Sequence, residues 1–105
     1  MAKKTRSKGT TNVLVDLGFA DAEELSAKVL LTLKINKLLD ARELTQAQAA
    51  TVLGMPQPKV SAIRNYKLQG VSLERLMQAL VALNQSVEIV VRPTRSRDAA
   101  IKVAA

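Results

Sequence analysis

Four polar side chains stand close together in a stretch of this sequence that carries no acid. Gln57, Lys59, Ser61 and Arg64 fall between Gly54 and Val71, where Lys67 adds a further cation and neither Asp nor Glu occurs. An amide, an ammonium, a hydroxyl and a guanidinium all donate hydrogen bonds to anionic oxygens and acceptor-rich edges. A glutamine amide can address adenine through two bonds, and a lysine can reach the O6 and N7 acceptors of guanine. Other chemistries are poorly supplied. With no cysteine and no histidine in the chain, thiol and imidazole catalysis, cysteine-bound zinc and disulfides all drop out. No pair of carboxylates stands in a setting suited to acid–base work, so neither enzymatic activity, nor a metal, nor a cofactor is expected.

The formal charge of +7 over 105 residues is concentrated at the ends. Lys3, Lys4, Arg6 and Lys8 lie before Gly9, and Arg92, Arg95, Arg97 and Lys102 stand against Asp98 alone after Val91. The stretch between is neutral, with eight charges of each sign. Total basicity therefore says little about the folded part. Segregation within it says more: Asp16, Asp21, Glu23, Glu24, Asp40 and Glu43 crowd the first half, leaving the segment around Lys59 locally cationic.

The elements that position these groups follow from composition and period. The length suits one domain with tails. Aromatics make up only 2%, so the core must be aliphatic, and the leucine and alanine bias favours helices. No apolar run reaches the length of a membrane span. The basic start is not followed by the apolar stretch of a secretory signal. A soluble protein of the cytoplasm is expected.

Residues 1–11 read as a disordered basic tail, 12–92 as one domain, and 93–105 as a basic C-terminal tail with at most a weak helix near its end. Asn12–Phe19 is a short apolar stretch of undecided structure. Asp21 and Glu24 have the spacing of a capping box, followed by a helix to about Arg42 with an apolar stripe at Leu31, Ile35, Leu38 and Leu39. Leu25, Val29, Leu30 and Leu33 extend its apolar surface beyond one face. Thr45 and Gln48 form a second capping box, opening a short helix to Leu53, which Gly54 ends. A third helix is predicted from about Gln57 to Tyr66, with Pro58 in its tolerant first turn. Ser72 caps a fourth, which carries Leu73, Leu76, Met77, Leu80 and Leu83. Ser86–Arg92 alternates as a strand does and stops at Pro93. A lone strand leaves its amides and carbonyls open, so it calls for Val13–Val15 or a second copy of itself as partner.

The segment Thr45–Asn65 meets the demands of two short helices crossing closely. Ala50 is small where they cross, and Gly54 can take the left-handed turn. Ala49, Leu53, Val60 and Ile63 lock the helices together, while Gln57, Lys59, Ser61 and Arg64 stay outside. This motif resembles the Xre/Cro-type helix-turn-helix over about Leu31–Leu83. The wider pattern, from VLVDLGF to VEIVVRP, is similar to that of small HigA-type antitoxins.

The resemblance implies a mainly α, lambda-repressor-like helix-turn-helix bundle of about four to five helices with one C-terminal β-strand. It implies a sequence-specific regulator of double-stranded DNA, acting as a homodimer, as autorepressor and as antitoxin to a RelE-like toxin. Gln46 and the amides at its helix start are implied to hold a phosphate. Gln57, Lys59 and Ser61 are implied to enter the major groove, with Asn65, Lys67 and Arg64 on the backbone. Pro58 and Ala62 depart from the pattern, since neither can donate to a base, though Ala62 can touch a thymine methyl. The rival reading is a protein-interaction module of the same fold that neutralises a toxin or bridges transcription proteins without reading DNA.

Overall fold

The computed structural model describes residues 17–95 and 100–104. Four helices account for its regular structure: α1 (Leu17–Arg42), α2 (Gln46–Leu53), α3 (Gln57–Arg64) and α4 (Leu73–Ala82). α1 lies against α4 and α3, and α2 packs on α3 and α4. The core between them is aliphatic, with Ile35, Val60, Ile63, Val71, Leu76 and Leu83 almost wholly enclosed. Each helix contributes at its expected period. Leu31, Ile35 and Leu39 come from α1, Ala49 and Leu53 from α2, Val60 and Ile63 from α3, and Leu76, Ala79 and Leu80 from α4.

α1 begins a turn earlier than its sequence pattern suggests. Leu17–Ala20 continues the helix in the N-terminal direction, so Asp21 and Glu24 stand inside the helix and not at its start, where a capping box belongs. Glu24 instead pairs with Lys28 one turn on, at 3.4 Å. Of the apolar stretch 12–19, residues 17–19 are helical and the rest lies outside the described residues, as does the tail 1–11.

The capping expected at α2 and α4 is present. The Thr45 hydroxyl accepts from the Gln48 amide at 3.1 Å, and the Thr45 amide donates back to Gln48 Oε1 at 2.9 Å. Ser72 Oγ accepts from the Arg75 amide at 3.1 Å. Gly54 takes φ 66°, and the Met55 amide closes α2 on the Ala50 carbonyl at 3.1 Å. Glu43, Tyr66 and Asn84 hold the corresponding left-handed positions after α1, α3 and α4, with φ of 54°, 58° and 67°. Two opposite results follow. A Cβ at Gly54 would meet nothing within 4 Å, so Gly54→Ala should cost only the backbone strain of about 1–2 kcal/mol. Exposed Glu43→Gly should recover about 1 kcal/mol by the same argument. Thermal melts followed by circular dichroism should move by about 4–8 °C per kcal/mol, down for the first and up for the second.

The expected strand is not formed. Ser86–Arg92 runs on from α4 without a ladder partner among the described residues. Alternation of apolar side chains specifies a face, but a strand also needs a second backbone. Val87 reaches the core, whereas Ile89 and Val91 remain 75% and 90% exposed. Residues 100–104 form no helix, yet Val103 packs half-buried against the core, returning one apolar side chain from the C-terminal tail.

Candidate nucleic-acid interface

α3 is fixed from below and open above. Val60 and Ile63 are fully buried, a spacing of three that commits one side of the helix to the core. Gln57 and Pro58 are exposed at its start, and Asn65 and Lys67 just past its end. Lys59, Ser61, Ala62 and Arg64 are partly covered. The helix opens on Pro56 without a side-chain cap, its carbonyl accepting from the Lys59 and Val60 amides at 3.0 and 3.2 Å. Pro58 sits in the first turn, where the amide it lacks has no helical partner to lose. Ala50 is half-buried against the core on the supporting helix.

The expected contact residues divide by what already holds them. Gln57 has no partner among the described residues and stands free at the helix start. Lys59 Nζ donates to the Gly70 carbonyl at 2.8 Å, which rests its ammonium on the α3–α4 loop. That bond is exposed, and releasing it costs about 1 kcal/mol. Asn65 Nδ2 donates to the Ser61 carbonyl at 2.8 Å and lies 3.4 Å from its Oγ, closing the last turn. Tyr66 then turns left-handed, its amide on Ile63 O at 3.2 Å and the Lys67 amide on Ala62 O at 2.8 Å. This double closure sets Lys67 immediately beyond the helix. Gln46 is the exposed first residue of α2. Its amide and that of Ala47 have no partner among the described residues, since the capping box satisfies the next one.

Arg64 is placed differently. Its guanidinium reaches back to α1, with one nitrogen 3.3 Å from Asn36 O and 3.0 Å from Asn36 Oδ1, and the other 2.6 Å from Asp40 Oδ1. Asn36 in turn donates from Nδ2 to the Ile63 carbonyl at 3.2 Å. Together these bonds tie the C-terminal end of α3 to α1. Asp40 also offsets the Arg64 charge, so Lys59 and Lys67 are the cations left to give this face its sign. Asn36, only 7% exposed, was missed by the sequence reading. Its signal was present: a lone amide beside Ile35 on a stripe otherwise meant for the core. Buried amides require partners, and this one has them.

Two short helices packed through small and aliphatic residues, joined by a left-handed glycine, define a helix-turn-helix, the second helix carrying donors outward. The model of a helix-turn-helix domain family matches residues 13–92, and the chain belongs to that family. A solved structure provisionally named an XRE family transcriptional regulator is 50% identical, covers 81% of this chain and 96% of its own, and superposes with a TM-score of 0.71. The chain is therefore an XRE-type helix-turn-helix protein of the DNA-binding regulator class. No curated protein matches it. Among the described residues no helix is long and apolar enough to cross a membrane.

Proposed function

We infer that this chain is the homodimeric repressor of an operator near its own gene and the antitoxin of a type II toxin–antitoxin pair. The carrying observation is the open side of α3, where free Gln57 and easily released Lys59 stand at opposite edges of the exposed surface, with Ser61 one turn on from Gln57. Gln57 suits adenine and Lys59 suits guanine in the major groove, with Ala62 against a thymine methyl. Gln46 and the α2 start hold one phosphate, and Asn65 and Lys67 another. Arg64 acts as a positioning residue through Asn36. An eight-residue reading helix makes a small interface, so two half-sites read by two copies supply the affinity. The cytoplasm, which holds the DNA, is the place of action.

The outer side of α1 supports the toxin partner. Leu25, Leu30 and Leu33 are 53%, 40% and 45% exposed, an apolar patch of the kind that marks a protein contact. The same patch favours a second reading, in which the fold neutralises a toxin without reading DNA. A mobility-shift titration with the DNA upstream of the gene, against a scrambled duplex at two salt concentrations, separates them. Preference for the upstream DNA supports the operator reading, and equal weak binding to both overturns it. Co-purification of the neighbouring gene's product tests the antitoxin role, and its failure to bind removes that role alone.

A further inference from the structure

The segment after α4 is an unusual surface to leave open. Ile89, Val90 and Val91 are 75%, 63% and 90% exposed, and Val81 of α4 is 58% exposed beside them. Val87 and Ile89 line a groove with Met77 and Val81, flanked by Glu74 and Gln78. No backbone amide or carbonyl of residues 86–92 is hydrogen-bonded among the described residues. An apolar segment with an open ladder is a template for another backbone.

We propose that Ser86–Arg92 pairs antiparallel with the same segment of a second copy, about a dyad at Val90, and that Glu88–Arg92 ion pairs fix this register. The proposal rests on the homodimer reading and specifies its interface. A register that keeps Val87, Ile89 and Val91 of both copies on one face must centre on a residue, because an odd offset sends one strand's apolar set to the other face. Centring on Glu88 sets that carboxylate against itself. Centring on Ile89 faces Glu88 with Val90, and centring on Val91 faces it with Thr94. Only Val90 puts Glu88 opposite Arg92, and the symmetry makes that pair twice.

Two further features agree. In this register Pro93 lies opposite Val87. A proline is tolerated there if the pair is a non-hydrogen-bonded one, its missing amide facing outward. Ladder alternation then makes the Val90 pair a hydrogen-bonded one, with its Cα atoms about 5.5 Å apart. The partner's Val91 falls opposite Ile89, on the side where Val87 and Ile89 already line the groove of α4. A two-stranded ladder is marginal alone, and α4 of each copy backs this one.

Sedimentation equilibrium on the full chain and three variants tests the register. Glu88→Arg and Arg92→Glu each place like charges opposite one another twice and should weaken dimerisation about tenfold. The double swap should return it to within about threefold of the wild type. Both positions of change are exposed and lie outside the helices, and circular dichroism checks that the helices are untouched. Because the chain has no cysteine, Val90→Cys adds a second reading: a short bis-maleimide should link it as a dimer. A dimer indifferent to both charges, or one that Val90→Cys does not cross-link, overturns the register and leaves the homodimer standing. A wild type that stays monomeric overturns both, whereas a ladder formed instead with residues 13–15 of the same chain overturns the register alone.

Discussion

Replacing Gln57 and Lys59 together with alanine is expected to reduce binding to the palindromic operator at least about thirtyfold, and well over about a thousandfold where the contacts are of middling strength, with the fold kept. A good bidentate pair discriminates by about 1–3 kcal/mol, and a dimer makes each contact twice. Even at the low end four contacts sum to about 4 kcal/mol, with about 1 kcal/mol per subunit returned because Lys59 must leave the Gly70 carbonyl. Contacts in the middle of the range leave about 6 kcal/mol, well over a thousandfold. Binding that persists should be the non-specific phosphate term, alike for operator and scrambled DNA and steep in salt. Lys67→Ala should behave in the opposite way, weakening all duplexes uniformly and lowering the salt slope by about one per subunit. Gln57 is exposed and Lys59 half so, so stability should fall by no more than about 1 kcal/mol, the worth of the lost Lys59–Gly70 bond. If the double variant still prefers operator over scrambled DNA, the outer face of α3 is not the reading surface.

The features legible in the sequence are those set by near neighbours. The Thr45–Gln48 box, the Ser72 cap, the Gly54 turn and the burial of Ala49, Leu53, Val60 and Ile63 each follow from residues within a turn or two. The start of α1 is local as well, but two signals compete there. Asp21 and Glu24 have cap spacing, while Leu17–Ala20 continues the helix, and nothing in the pattern ranks one above the other. Pairings across the fold leave no periodic trace. Asn36 and Arg64 are 28 residues apart, and either alone reads as an ordinary polar residue, so the bonds from Arg64 to α1 leave no mark in the sequence. Left-handed Glu43 and Tyr66 are equally silent, since neither residue type favours that conformation. The strand failed for a different reason: its alternation is real, but no backbone among the described residues completes it.

Ile63→Ala should produce the mirror image of the reading-face variant. Ile63 is fully enclosed at the centre of the core, and truncating such a residue costs about 2–5 kcal/mol through lost transfer energy and the cavity left behind. A domain of this size has about 5–15 kcal/mol in all, and the melting temperature should fall by about 10–30 °C. Ile63→Val, which removes one methylene, should cost only about 0.5–1.5 kcal/mol. Operator affinity measured well below the lowered melting point should nevertheless change less than about tenfold. The side chain is enclosed in the core, away from the exposed side of α3, while the backbone of α3 is held independently. Asn36 still donates to the Ile63 carbonyl at 3.2 Å, and Arg64 still clasps Asn36 and Asp40. Adding Asn36→Leu to Ile63→Ala removes that second tether, and affinity of the folded protein should then fall further than either change alone predicts. Full loss of operator binding by folded Ile63→Ala would show instead that packing alone sets the angle of α3, and that the Asn36–Arg64 link follows the helix without steering it.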